Sequence, residues 1–323
     1  MRKTALLYNP DSGGSARKRL NVLQSALAVL QRGGVEAELV ASQSPQQAGE
    51  AARQAIASGC DTIFACGGDG TIHNIVQVLA NSSVALAILP LGTANALAHD
   101  LRLPSDVVRA AQAALTGVPR RVPVGRVAYI DLEGKPACRY FIVTAGIGVD
   151  AHLFYKLHTG AKQRMGMSAY YAKAWSLWFN YAMTRFDAEY VESGSQEPKH
   201  AEVTELMSVR IRNFGGVVRE LAPGASLDRN DMRLVFARTA SRLAYLAYVT
   251  RGLLGQTWKI PGVELVYSTR VSCRYITSAS PTDDRDATAQ QNIYVEADGE
   301  LLGKLPAEIT VVPKALTLLA PFR

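Results

Sequence analysis

Several familiar signatures are missing from this 323-residue chain. No apolar run approaches the length needed to cross a bilayer, and the apolar stretch within Met1–Pro10 is too short for a signal peptide. Cys60, Cys66, Cys138 and Cys273 form neither C-x-x-C pairs nor a metal-ligand spacing, which predicts reduced, structural thiols in a cytoplasmic protein. The histidines at 73, 99, 152, 158 and 200 make no H-E-x-x-H, so zinc is not expected. There is no internal repeat and no recognised nucleic-acid module, so nucleic acid is not an expected partner. Acidic residues are also unevenly spread, with none from Met232 to Ile260, where Arg233, Arg238, Arg242, Arg251 and Lys259 sit among Leu, Ala, Tyr and Trp258. That stretch reads either as a solvated helix with arginines at its edge or as a basic, partly apolar surface for lipid headgroups.

What is present is ordinary globular composition, 48% apolar and 20% charged, on a chain long enough for two domains. The net charge of +7 favours an anionic partner without naming it. The central feature is Cys66-Gly67-Gly68-Asp69-Gly70-Thr71-Ile72-His73-Asn74. The buried run Thr62–Cys66 precedes it, and Ile72, Ile75, Val76 and Leu79 follow at helical spacing. A strand that enters a helix through glycines points backbone N–H groups and a helix dipole outward, which suits phosphate. The glycine pattern is neither G-x-G-x-x-G nor G-x-x-x-x-G-K-[ST]. A bare strand-to-helix turn explains it equally well.

Taken in order, Thr4–Tyr8, Val35–Ala41, Thr62–Cys66 and Val84–Leu89 read as strands. Helical repeats alternate with them: Leu20, Leu23, Leu27 and Leu30, closed by Gly33-Gly34, then Ala48, Ala52, Ala55 and Ile56 after Pro45. The alternation predicts a parallel sheet covered on both faces. Three loops then gather at its carboxyl end, Asn9–Gly14, Gly67–Gly70 and Gly92–Asn95, and three such loops are stronger evidence for phosphate than one. After Pro119-Arg120-Arg121 the pattern changes. Val122–Ile130 and Tyr140–Val149 read as strands and Gly166–Met183 as a helix. Met207, Val209 and Ile211 alternate with Ser208, Arg210 and Arg212, as in a sheet with one wet face. Glu192–Ala201 and Thr277–Gln291 read as polar loops. Lys156, His158, Lys162 and Arg164 form a basic cluster, and Tyr171–Phe179 an aromatic stripe.

The boundaries predicted are an α/β nucleotide-binding domain over residues 1–118, a mainly antiparallel β-rich domain over 119–306, and a tail, 307–323, that packs back on the first. Asp298-Gly299, between Ile293–Ala297 and Leu301–Leu305, is a strong hairpin signal. Its aspartate is either a solvent-facing turn residue or a general base. Asp69 either caps its helix or holds magnesium-bound water.

Together Asn9-Pro-Asp-Ser-Gly13, Gly67-Gly-Asp-Gly-Thr71, Leu89-Pro-Leu-Gly-Thr-Ala-Asn95, Gly146-Ile-Gly-Val-Asp-Ala151 and Asp298-Gly-Glu300 resemble the diacylglycerol kinase catalytic family, which includes bacterial lipid kinases and the sphingosine and ceramide kinases. The resemblance implies a phosphofructokinase- and NAD-kinase-like α/β domain and a β-rich lipid domain, with ATP and Mg²⁺ as cofactors. It places Asn9, Ser12, Gly13, Gly67, Gly68, Asp69, Gly70, Thr71, Gly92, Thr93, Asn95 and Glu300 around the nucleotide. It makes Asp298 the base that deprotonates a diacylglycerol- or sphingosine-like hydroxyl, and sets Asp228 near a structural magnesium. The implied partner is a lipid at the membrane surface, with the protein cytoplasmic and peripheral; a homodimer is compatible with this. The chain departs from the family at His73-Asn74, Ala96, Pro123, Gly14 and Arg229-Asn230. Those departures keep two alternatives in play: a catalytically silent lipid- or nucleotide-binding homologue, and a kinase of a soluble substrate such as NAD.

Overall fold

The apolar segments Lys3–Tyr8, Thr62–Gly67 and Ala85–Pro90 become strands buried on both faces, as a parallel sheet under helices demands, while Glu36–Ala41 is the partly exposed edge strand. The computed structural model describes residues 1–10, 16–149, 151, 183–215, 220–256, 258–276 and 293–321. In chain order, β1 (Lys3–Tyr8), α1 (Ala16–Arg32), β2 (Glu36–Ala41), α2 (Pro45–Ala57), β3 (Thr62–Gly67), α3 (Asp69–Leu79), β4 (Ala85–Pro90), α4 (Ala96–Asp100) and α5 (Val107–Leu115) alternate as the sequence predicts. The strand order is β2-β1-β3-β4, all parallel. The connection reverses direction between β1 and β3, the place where open α/β sheets bind ligands. Leu23, Ala26 and Leu30 of α1 pack on Leu6, Phe64 and Leu89. Gly34, at φ +80°, ends α1, and the Ser44 hydroxyl accepts from Gln47 N–H to start α2.

The chain divides into two units. The first comprises Met1–Val124, Asn213–Val217 and Val312–Arg323; the second comprises Gly125–Arg212 and Val218–Val311. Two long strands, β5 (Val118–Asp131) and β14 (Glu300–Ala320), contribute residues to both. Within the first unit, Thr317 and Leu318 of β14 pair in parallel with Ala85 and Leu86 of β4.

The second unit is mainly antiparallel: β6 (Pro136–Phe141), β7 (Thr144–Gly148), β8 (Phe186–Glu192), β9 (Pro198–Val203), β10 (Glu205–Val209) and β11 (Met232–Ala237), then α6 (Arg242–Leu254), β12 (Val263–Arg274) and β13 (Tyr294–Ala297). Its core gathers Phe141, Ile147, Phe186, Leu206, Phe236 and Ile309. Tyr190 and Phe236 meet there with ring centroids 4.8 Å apart.

Three expectations need correction. Glu192–Ala201 is not a loop throughout. Pro198–Val203 pairs antiparallel with β8, and as a strand with its outer residues exposed it carries the polar composition of a loop. Tyr140–Val149 is two strands, because Ile142, Val143 and Thr144 give their N–H groups to a side chain. The wet face assigned to Ser208 and Arg210 is covered, and both residues are fully buried. The predicted helix Gly166–Met183, its aromatic stripe, the cluster Lys156–Arg164 and the loop Thr277–Gln291 lie, but for Met183, outside the described residues.

Phe236 fills the centre of the second core with no exposed surface. Phe236→Ala is expected to cost roughly 3–5 kcal/mol, read as a lowered urea midpoint for loss of near-ultraviolet dichroism.

Candidate functional site

In the first unit, β3 ends at Gly67 and Gly68 occupies the cap position of α3. Gly68 offers no side-chain acceptor to the first turn, the arrangement in which helix N-termini hold phosphate. The loop after β4 comes directly against it. A Cβ on Gly92 would lie 2.5 Å from Gly68 Cα and 2.7 Å from Asn95 Oδ1. Only two residues without side chains can approach so closely, which explains both glycines at once. Gly67 has its own reason, since a Cβ there would meet Thr71 Oγ1 at 2.3 Å.

Asn95 closes the second loop on itself. Its Oδ1 accepts from Gly92 N–H at 2.9 Å, and its Nδ2 donates to Gly92 O at 2.8 Å. It does so in the left-handed region, φ +49°, a conformation asparagine tolerates. Asp69 is the first residue of α3 rather than its cap, and its Oδ1 accepts from Leu97 N–H, 3.5 Å away on α4. Asn74 Nδ2 donates to Gly70 O at 2.8 Å. Gly67, Gly68, Asp69, Gly70, Thr71, Gly92, Thr93 and Asn95 therefore belong to one loop pair. Thr93 is exposed on it and Thr71 half-buried.

Asn9 leaves β1 beside them in strand order. Its carbonyl and that of Pro10 accept from the buried Arg19 at 3.2 and 2.9 Å. Sequence reasoning passed over Arg19 because it stands among the cations of an amphipathic helix. Ser12 and Gly13 lie outside the described residues.

In the second unit, Asp298 and Gly299 form the turn between β13 and β14, both at positive φ, +49° and +81°. Asp298 is not a dangling turn residue. Its Oδ1 accepts from the N–H groups of Val143 (2.8 Å), Thr144 (3.1 Å) and Ile142 (3.3 Å), and its Oδ2 from Ile142 at 3.1 Å. Its own N–H donates to Thr144 O at 2.8 Å. The carboxylate is thus an anion set in a nest of three consecutive amides. Behind it the buried Glu296 accepts from Gly299 N–H at 2.9 Å, a brace that simple alternation along β13 conceals. Glu300 follows, half-buried, as the first residue of β14.

The same unit contains an apolar cavity of about 180 Å³ beneath α6, lined by Val149, Met207, Leu221, Val235, Tyr248 and Val249 among others. Gly148 turns the chain into it at φ +117°, where a Cβ would meet Thr204 O at 2.5 Å. The next N–H, of Val149, donates to the carboxylate of the buried Glu205, the acid in the cavity wall.

The outer stripe of α6 is apolar. Leu243 keeps 77% of its surface exposed, Leu254 59% and Leu246 40%. The arginines expected around it are largely engaged: Arg251 is buried and donates to Leu221 O at 3.1 Å, Arg238 pairs with Glu264 at 2.8 Å, and Arg233 stacks on Tyr267.

Residues 3–127 match the Diacylglycerol kinase catalytic domain, and residues 143–320 match the YegS C-terminal NAD kinase beta sandwich-like domain. The chain belongs to the diacylglycerol kinase family. A curated diacylglycerol kinase from Bacillus subtilis (strain 168) is 28% identical, covering 99% of this chain and 97% of the relative. One from Staphylococcus epidermidis is 29% identical, with coverages of 99% and 93%. The crystal structure of a diacylglycerol kinase from Bacillus anthracis str. Sterne has the same fold, with a TM-score of 0.68 at 17% identity, covering 99% of this chain and 96% of that one. Yeast NADH kinase follows it more loosely, at 0.51 and 11%, covering 100% of this chain and 84% of that one. As a diacylglycerol kinase family member, the chain is a lipid kinase, a phosphotransferase acting on an alcohol.

Gly92→Ala forces the two glycine loops apart, and the overpacking is expected to cost about 1–3 kcal/mol. A lowered thermal midpoint with unchanged far-ultraviolet dichroism would record it.

Proposed function

We propose that the chain transfers the γ-phosphoryl group of ATP to the free hydroxyl of a diacylglycerol-like lipid, with Asp298 as general base. The observation that carries this reading is the fixed Asp298 carboxylate, whose position is set by three backbone amides rather than by a flexible partner. A base must sit within hydrogen-bond reach of the hydroxyl it activates, and a carboxylate that cannot rotate loses little entropy in doing so. Three of the four amide contacts fall on Oδ1, so Oδ2 is the oxygen assigned to the incoming hydroxyl.

The nucleotide's phosphates are assigned to the loop pair Gly67–Thr71 and Gly92–Asn95, with Asn9, Ser12, Gly13 and Glu300 as further contacts. Phosphoryl transfer depends on positioning and charge neutralisation more than on covalent chemistry, and backbone amides at a helix start supply both. Magnesium usually reaches such sites with the nucleotide, held by phosphate oxygens and one or two carboxylates. Asp69 suits that role, and when bound the ion neutralises phosphate charge. Among the described residues no three His, Cys, Asp or Glu side chains form a complete metal site without the nucleotide.

The cavity beneath α6 is assigned to part of an alkyl chain. Its volume is close to that of apolar cavities that accept a small hydrocarbon, so most of a diacyl lipid would remain outside it. The apolar outer stripe of α6 supports contact with the bilayer that holds the substrate. No helix among the described residues is long and apolar enough to cross a membrane.

Radiolabelled ATP supplied with magnesium and vesicles containing diacylglycerol or sphingosine tests the substrate, and labelled phosphatidic acid is the expected product. Asp298→Asn keeps an acceptor at Oδ1 and is expected to lower turnover by about 10²–10⁴-fold while ATP affinity stays within a factor of about two; unchanged turnover removes the base assignment. Leu243→Ser with Leu246→Ser is expected to weaken sedimentation with phosphatidylglycerol vesicles at least about tenfold. Because the nearby arginines are engaged, wild-type sedimentation should persist at raised salt, and its loss there would make the contact electrostatic instead.

A further inference from the structure

Arg210 follows β10 and is the largest fully buried side chain among the described residues. Its Nη1 donates to Arg229 O at 3.0 Å and to Asp231 O, and its Nη2 donates to Leu227 O at 3.3 Å. Carbonyls from alternate residues of one short loop therefore turn inward onto a single positive group. Convergent backbone carbonyls are also how proteins hold hard divalent ions. This is the loop in which the family resemblance sets Asp228 near a structural magnesium.

The residues present do not fit such an ion. Asp228 is exposed, and its backbone N–H is tied to Ser226 Oγ at 3.3 Å. The other acid, Asp231, accepts a forked pair from Arg229 at 2.6 and 2.8 Å and a hydrogen bond from Ser193 Oγ at 2.8 Å. Those hydrogen bonds outweigh burial and hold its carboxyl below the usual range. Arg229 and Arg233 lie over the Tyr267 ring at 3.9 and 4.1 Å, adding positive charge beside the loop. A divalent ion would have to share these carbonyls with one guanidinium and sit close to two more. Burial lowers the Arg210 guanidinium to about 10, against the pull of the Asp231 charge, so it stays protonated at neutral pH.

We propose that Arg210 is a built-in replacement for the structural cation, a side chain that collects the carbonyls of Leu227, Arg229 and Asp231 and frees this loop from any need for divalent metal. The ion that accompanies ATP is a separate matter, so the test is made without nucleotide. Thermal unfolding of the full-length protein is compared in millimolar EDTA and in millimolar magnesium chloride. The two midpoints are expected to agree within about 1 °C, and exhaustively dialysed protein is expected to hold no stoichiometric magnesium or calcium by elemental analysis. Arg210→Met leaves three inward carbonyls without their donor and is expected to lower the midpoint by about 5 °C or more in both buffers. Arg210→Lys keeps the charge with fewer fixed donors and is expected to fall between the two. A wild-type midpoint that drops in EDTA and returns with magnesium would overturn the proposal, and so would an Arg210→Met protein as stable as the wild type. If neither variant folds, the wild-type chelation result decides alone. Lipid kinase activity enters none of these readouts, so the catalytic assignment stands or falls separately.

Discussion

The second unit is arranged around one carboxylate that takes three consecutive backbone amides. An antiparallel strand could have continued from Tyr140 to Val149, but the N–H groups of Ile142, Val143 and Thr144 turn to Asp298 instead. The exchange fixes the hairpin of β13 and β14 against the start of β7 and holds the side chain in one orientation. From β7 the chain runs on to Gly148, where a sharp turn delivers Val149 to Glu205 and to the apolar cavity. One charged group thus sets both the carboxylate's own position and the strand that leads into the cavity wall. Unpaired amides at a strand break would cost free energy, and the aspartate satisfies them in a charge-assisted form.

The first unit solves a different problem. The phosphate recognition proposed for its two glycine loops needs exposed backbone, with side chains absent where the loops meet. Gly68 and Gly92 touch through their own main chains, while Asn95 supplies the hydrogen bonds that a longer loop would otherwise lack. Little of this geometry depends on the identity of the surrounding apolar residues. That independence is why the loops stand out in the sequence while the helices around them look generic.

What could be read from the sequence follows from how local its cause is. The loops Gly67–Thr71 and Gly92–Asn95, the hairpin at Asp298-Gly299 and the strand–helix alternation all arise from neighbouring residues, and the fold class followed from them. The break in Tyr140–Val149 arises from a residue more than 150 positions away, so no window of sequence contains it. Pro198–Ala201 looked like part of a loop because the outer residues of strand β9 are exposed. Arg210 looked like a solvent residue by alternation, and only the later loop Leu227–Asp231 buries it. Arg19 and Glu296 were hidden for the same reason, each being charged at a position where charge usually means surface.

Strand β14 carries a further consequence for the way the polypeptide is made. Its Thr317 and Leu318 supply the parallel partner for Ala85 and Leu86 of β4, far earlier in the chain. During synthesis β4 keeps that side unpaired until Thr317 and Leu318 have emerged. Such long-range closure slows folding and leaves an adhesive border in the nascent chain. The same arrangement makes residues 1–118 a poor candidate for expression as an independent fragment, since the segment that pairs with β4 comes only at Thr317 and Leu318.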